Sequence, residues 1–293
     1  MSAGAGVASD GVAAAVVALP VGGVKKSYHE LIVQRRGALM TIQFNRPAVR
    51  NALRRRTIYE LFRALDAASA DPEVNVIVLM GNAEAFTAGN DLSDVAAVQN
   101  KGLDALNVYF RASNYVMSLL VKRMLLCRKV LVALVQGVCV GMGVTLCALC
   151  DVVYATETAQ FWTPFSKLGL CAELGSSWTL PHLLGRSKAA ELLLFGTRMD
   201  AQMALQHGFV VAVLQEDQLQ VQFWQRMEEH ARLPAASLLA TKRLLQHQWR
   251  PNVLAAFSEE CKELASLRRR STYLGELAAF AGRAKRSQLK SKL

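Results

Sequence analysis

Residues 130 to 150, VLVALVQGVCVGMGVTLCALC, carry no charge. A run of this length is long enough to span a bilayer. It also contains Gln136 and glycines at 137, 141 and 143. Its first six residues are β-branched or Leu-rich, like a buried strand, and its last eight suit a buried helix. Strand, Gly-rich turn and core helix is the more economical reading than a membrane span. A second continuous apolar run, NVIVLMG (75 to 81), is typical of a strand buried on both faces.

The remaining segments fit around these two. ALMTIQFN (38 to 45) predicts a strand. The stretch from Arg46 to Asp71 predicts a turn and then a helix, with Leu53, Ile58, Leu61, Phe62 and Leu65 on one face. A helical pattern covers 102 to 127, and VVYA (152 to 155) and GFVVAVL (208 to 214) predict further strands. Strands alternating with helices imply an α/β core with much parallel pairing. From about residue 218 the chain is polar-amphipathic and helical to its end, and no short self-similar period is present. Three parts follow: a flexible tail over 1–27, an α/β core over 28–217 and a helical segment over 218–293. Within the tail, residues 11 to 24 are apolar, but Asp10 is the only charge before them. With no basic n-region, this predicts a mobile tail and not a signal peptide.

Composition narrows the class further. An apolar share of 52% with 19% charged residues predicts a packed globular chain. A formal charge of +11 suits polyanionic partners but is spread over the whole chain and selects none of them. Six cysteines sit mostly in apolar runs, where they behave as small hydrophobes in a reducing compartment. Cys147 and Cys150 form a CxxC, yet no second pair or histidine follows at metal-ligand spacing, so no metal is expected. The final residues Ser291, Lys292 and Leu293 form an address read by the peroxisomal import receptor. They predict the peroxisomal matrix or a related microbody such as the glycosome.

Two loops share one design. EAFTAGNDLSD (84 to 94) and QGVCVGMGVTL (136 to 146) each follow a predicted strand, and in each a Gly turn leads toward a helix start. Backbone N–H groups there lack partners and favour negative charge. Side by side, the loops offer one N–H each to a single oxygen, and one such oxyanion donor is worth about 3 kcal/mol in a transition state. Further on, GLCAELGSSW (169 to 178) holds a lone charge, Glu173, whose nearest charged neighbours are Lys167 and Arg186.

NRPAVRNAL (45 to 53), FTAGNDL (86 to 92) and the block from Gln136 to Leu170 resemble, in order and spacing, the enoyl-CoA hydratase/isomerase (crotonase) family. The resemblance covers roughly residues 30 to 290. It implies a spiral of ββα units with a C-terminal helical segment that builds trimers, giving a homotrimer or hexamer. It also implies an acyl-CoA thioester substrate, with CoA as part of the substrate and no separate cofactor. The enolate-stabilising N–H groups fall on Asn90 and Met142. Ala88, Gly89, Asn90, Asp91 and Leu92 line the thioester and pantetheine end, and Gly141 and Phe165 are further substrate-binding positions. The CoA-binding turn falls near Pro47 to Asn51, where Arg46 and Arg50 would meet phosphates.

The family's hydratases use two glutamates. Their positions carry Thr145 and Phe165 here, which cannot divide acid and base duties, so hydration is not expected. TPFSKLG, Glu173 and SSWTLP are similar to the peroxisomal Δ3,Δ2-enoyl-CoA isomerase branch, where a glutamate at this place is the catalytic base. Leu174, where that branch has glycine, and Gly175 depart from the pattern. A single carboxylate suits a double-bond shift from 3-enoyl-CoA to trans-2-enoyl-CoA, and an apolar wall would raise its pKa. Phe161, Trp162, Phe165, Leu170 and Trp178 are wall candidates, each competing with plain core packing. None of the five histidines falls in these blocks; Asp91 suits bracing of its loop and Asp151 anchoring of the next strand. The alternatives are a dienoyl-CoA isomerase or another acyl-CoA conversion, an inactive acyl-CoA binder, and an RNA binder. The last is disfavoured because the basic residues are scattered, so no nucleic acid is expected.

Overall fold

The computed structural model describes residues 28–99, 103–270, 272–276 and 279. The expected N-terminal tail and the Ser291-Lys292-Leu293 terminus lie outside the described residues.

In chain order the elements begin with β1 (Leu31–Arg36), β2 (Leu39–Phe44), α1 (Arg55–Ala70), β3 (Val76–Met80), β4 (Ala85–Thr87), α2 (Leu92–Gln99) and α3 (Leu103–Leu126). Then follow β5 (Val130–Val135), β6 (Val138–Val140), α4 (Met142–Cys147), β7 (Val152–Thr156), β8 (Gln160–Trp162) and α5 (Ser176–Leu184). The remainder is α6 (Arg186–Ala190), β9 (Met199–Asp200), α7 (Ala201–Gln206), β10 (Val213–Leu214), α8 (Arg226–Ala231) and α9 (Ala235–Arg268).

Three consecutive units repeat one step. In each, a longer apolar strand joins a six-stranded sheet ordered β1-β2-β3-β5-β7-β10, and the short strand after it joins a four-stranded sheet ordered β4-β6-β8-β9. The pairs β3/β4, β5/β6 and β7/β8 make these steps, and helical segments close them. This is the crotonase-like spiral of ββα units that the resemblance implies. All pairs in the larger sheet are parallel except β1 with β2. The reason is visible in the strands. VIVLM and VLVALV have no polar face, so both sides must be covered. One side meets α1, α3 and α4 through Ile58, Leu61, Leu65, Leu120, Met124 and Leu146, and the other meets Phe223 and Met227. The run at 130 to 150 thus resolves into β5, β6 and α4, and no helix among the described residues is long and apolar enough to cross a membrane.

Two expectations need correction. GFVVAVL yields only the two-residue β10. Gly208 adopts φ +73, and Phe209 turns inward to meet Phe161 edge to face at 5.3 Å instead of extending the ladder. Leu53 does not belong to the α1 face, because the helix begins at Arg55. It forms an isolated parallel bridge with Asn90, a pairing that shapes the site described below. The C-terminal segment is helical through Arg268, with a π-helical stretch, Gln220–Gln225, running into α8 and a short break before α9.

Asp151 anchors its turn by accepting the Leu131 N–H at 2.7 Å. It also accepts from Lys242 Nζ at 2.5 Å and Gln246 Nε2 at 3.2 Å, tying α9 to the start of β5. Lys242 is buried, and it also donates to the Lys129 carbonyl at 2.7 Å. Replacing Asp151 with alanine removes three acceptor contacts and leaves the buried Lys242 ammonium with the neutral Lys129 carbonyl in place of a carboxylate. The expected loss is about 3 kcal/mol of unfolding free energy, measurable by denaturant titration. A surface-like loss below 0.5 kcal/mol would show that this tie contributes little.

Candidate active site

The NRPAVRNAL segment acts as a brace for the first Gly turn. Arg50 and Asn51 adopt left-handed φ values of 49° and 56°. The buried Asn51 side chain donates to the Ala85 carbonyl at 2.8 Å and accepts the Arg46 N–H at 2.9 Å. Thr87 Oγ1 donates to the Asn51 carbonyl at 2.6 Å, and the Ala88 N–H donates to the Arg50 carbonyl at 2.8 Å. Leu53 then clasps Asn90 from both sides. Its N–H donates to the Gly89 carbonyl at 2.8 Å, and its carbonyl accepts the Asp91 N–H at 2.9 Å. In a parallel bridge the clasped residue's own N–H faces away from its partner. The Asn90 N–H is therefore turned off Leu53 toward the cleft, and it finds no acceptor among the described residues.

The second Gly turn lies against the first because β4 and β6 are parallel neighbours, with Thr87 opposite Cys139. Gly89, at φ +86, approaches so closely that an added Cβ would stand 2.8 Å from the Val140 carbonyl oxygen and 3.7 Å from the Met142 nitrogen. Gly141 caps α4 with φ 51 and ψ −111, a conformation that L side chains avoid. Met142 follows as the first residue of α4, and its N–H also has no acceptor among the described residues. Two free N–H groups thus lie on apposed turns.

A cleft of about 230 Å³ opens over these turns. Ala88, Gly89, Asn90, Leu92, Gly141, Met142, Trp162, Phe165 and Leu170 line it, with the exposed Arg50 at its edge. A second cavity of about 100 Å³ lies further in, between α3 and α9, walled by Leu92, Val95, Met117, Leu170, Leu174, Phe257 and Leu264 among others. Asn90, Leu92, Leu170 and Glu173 border both spaces.

Glu173 is 8% exposed. Burial pushes its carboxyl from 4.5 up to about 7; the Arg268 charge pulls it down, the Glu260 carboxylate pushes it up, and the Asn90 amide pulls it down. Asn90 Nδ2 lies 3.5 Å from Glu173 Oε1. The turn that aims Glu173 is tight. Its N–H donates to Ser176 Oγ at 3.1 Å, and its carbonyl accepts the Ser176 N–H at 3.1 Å. Leu174 and Gly175 both take left-handed φ values, 55° and 79°. Leu174 thus fills a backbone conformation that favours glycine, a strain of about 1–2 kcal/mol. In return its buried side chain walls the inner cavity. The carboxylate of Glu260, from α9, accepts the N–H groups of Gly175 and Ser177 at 2.6 and 2.7 Å and holds the whole turn.

Several expected residues take other posts. Arg46 does not face outward to phosphate. Its guanidinium donates to Asp91 Oδ2 at 2.8 Å and to the Ala52 carbonyl, and lies 3.9 Å from Glu30. Asp91 is correspondingly a brace, and its carboxyl is held below the usual range by Ser93 and Arg46 against the effect of burial. Phe161 is fully buried core, and Trp178 stacks on His182 at 3.7 Å and meets Trp249 edge-on. Trp162, Phe165 and Leu170 do line the cleft. Thr145 is buried and donates to the Met142 carbonyl at 3.1 Å. Cys147 and Cys150 point into the core, where burial pushes both thiols well above their usual range. No cluster of three or more potential metal ligands is present among the described residues.

Sequence reasoning missed the Leu53 clasp, the Asn90 amide on Glu173, and the contributions of Glu260 and Arg268. The last two sit in a long amphipathic helix whose polar residues look alike, and no motif marks them.

The enoyl-CoA hydratase/isomerase family model matches residues 34–286. Enoyl-CoA delta isomerase 2 of Homo sapiens is 34% identical over 241 residues, 81% of this chain and 59% of that protein. The chain thus spans about three fifths of the length of that relative. Enoyl-CoA delta isomerase 3, peroxisomal, of Mus musculus is 30% identical, covering 89% of this chain and 80% of that one. Among solved structures, an enoyl-CoA hydratase/isomerase from Pseudoalteromonas atlantica T6c superposes with a TM-score of 0.77 at 29% identity, over 87% of this chain and 98% of that chain. With the family pattern matched along most of its length and the ββα spiral in place, this chain belongs to the enoyl-CoA hydratase/isomerase family.

Proposed function

We propose that the protein is a Δ3,Δ2-enoyl-CoA isomerase with Glu173 as its single base. The observation that carries this reading is the place of that carboxylate, buried where the Gly-turn cleft meets the inner cavity. The thioester oxygen sits between the N–H groups of Asn90 and Met142, and the acyl chain continues past Glu173 into the inner cavity. Ionised Glu173 takes the proton from C2. The electron pair moves onto the thioester oxygen as a dienolate, which the two N–H groups stabilise. The resulting carboxylic acid returns the proton to C4 on the same face, leaving the double bond between C2 and C3. The Asn90 amide keeps the carboxylate beside both carbons. No water, metal or redox group takes part, and no cofactor beyond the CoA of the substrate is required.

A hydratase needs a second acid-base group beside the cleft. Phe165 supplies an apolar wall there, and the Thr145 hydroxyl is engaged with the Met142 carbonyl. Both features favour isomerisation. The name of the mouse relative supports an assignment to the peroxisomal matrix or a related microbody. Assembly as a trimer or hexamer belongs to the same proposal.

Three outcomes are expected. Glu173→Gln lowers the isomerisation of 3-hexenoyl-CoA by about 10³-fold or more while CoA-ester binding persists; near-normal turnover would refute the base assignment. Gly89→Ala forces the turns apart and lowers kcat by about 10²-fold, the scale of one oxyanion donor, with a smaller change in KM. A kcat unchanged in steady-state assays would remove the apposed turns from the mechanism.

The third outcome concerns pH. The raised pKa means that native Glu173 binds a proton between about pH 4.5 and 7 that the unfolded chain releases. Stability therefore falls as pH rises through that window, and the ionised form costs on the order of 3 kcal/mol above it. Glu173→Gln removes this cost. The variant should melt higher than the parent at pH 8 and at nearly the same temperature at pH 4.5. Equal melting temperatures at both pH values would contradict a desolvated carboxylate.

A further inference from the structure

The inner cavity has apolar walls interrupted by two charged groups of residues, one of Arg54, Arg55, Asp91 and Asp94 and one around Arg268. There Ser113 and Asn114 of α3 approach Arg268, the last residue of α9. Arg268 Nη1 donates to Asn114 Oδ1 at 2.9 Å, and its guanidinium carbon lies 4.7 Å from the Phe110 ring centroid. Its Nε is closed off from solvent and has no acceptor among the described residues. Asn114 is neutral, and the other groups facing the guanidinium are the Glu173 carboxyl and the Tyr273 hydroxyl, so the Nε–H is left without an acceptor among the described residues. On its other side Arg268 borders a recess of about 390 Å³ that also carries Asn107, Arg111 and Arg269. The guanidinium thus separates the inner cavity from a basic recess.

A chain ending in a methyl group gains nothing from such a wall, because it leaves the buried N–H unmet. A carboxylate accepts from a planar guanidinium through charge-assisted hydrogen bonds, and the recess behind it offers further positive charge. We propose that Arg268 determines specificity by selecting acyl chains with a carboxylate at the ω end, so that the substrate class is the CoA monothioester of an unsaturated dicarboxylic acid. This rests on the reading of the same site as an acyl-CoA isomerase, with the thioester at the Gly turns and the chain running inward past Glu173.

Calorimetric binding to the full chain tests it with paired saturated probes: hexanoyl-, octanoyl- and decanoyl-CoA against the CoA monothioesters of the dicarboxylic acids of equal length. At the length that reaches Arg268, the ω-carboxylated probe is expected to bind at least tenfold tighter than its plain partner. Arg268→Met abolishes the difference, and Arg268→Lys keeps part of it. Plain probes binding as tightly at every length would overturn the proposal, a result that needs no variant. A preference that survives in Arg268→Met would also overturn it and reduce Arg268 to a strut between α3 and α9. Turnover separates the two readings. Isomerisation of 3-hexenoyl-CoA without any ω-carboxylate preference leaves the isomerase and removes this inference. The binding preference without isomerisation of either 3-hexenoyl-CoA or its ω-carboxylated counterpart does the reverse.

Discussion

Parallel pairing of β4 with β6 is the contact on which the site depends. It brings two turns from separate ββα units to within a glycine's width of each other, with Gly89 pressed against the Val140 carbonyl. Neither turn alone holds anything. Each contributes one backbone N–H without a partner, and the spiral places them on one wall of a cleft. The price of that apposition is backbone in unusual conformations at Arg50, Asn51, Gly89 and Gly141, which the hydrogen bonds of Asn51, Thr87 and Leu53 hold in place. Side chains and main chain from three different segments over-determine these loops.

The second requirement is a carboxylate out of water. Glu173 lies on a turn with two left-handed residues, stabilised by the Glu260 carboxylate from α9. Burial raises its proton affinity, and the Arg268 charge limits the rise. A base near neutrality is well matched to removing a weakly acidic carbon-bound proton and then giving it back. The helix that carries Glu260 and Arg268 is also tied to β5 through Lys242 and Asp151. The C-terminal segment thus supports the Glu173 turn and walls the inner cavity together.

Much of this is legible in the sequence. The apolar strands at 76–80 and 130–135 are recognisable because burial on both faces removes every polar residue from them. The Gly turns and the isolated Glu173 stand out for the same kind of reason, since each breaks a local rule of composition. The errors arise where tertiary contacts override local pattern. Leu53 has helical spacing but is needed to clasp Asn90, and Val210 and Val211 have strand propensity but follow a left-handed glycine. Arg46 carries a charge that motif position directs to phosphate, yet the fold brings Asp91 and Glu30 to it. Glu260 and Arg268 were invisible because a polar residue on a long helix gives no sign of which protein surface it will meet. Leu174 is the converse case: its departure from glycine looks disruptive in sequence, but its backbone still adopts the glycine-like turn.

The most direct measurement is the titration of the Glu173 side-chain carboxyl by carbon-13 NMR, assigned by its absence in Glu173→Gln. A desolvated base at the meeting of the two cavities predicts a midpoint near 7. A midpoint in the ordinary glutamate range, about 4.3, would mean that the carboxylate is hydrated and would contradict the account.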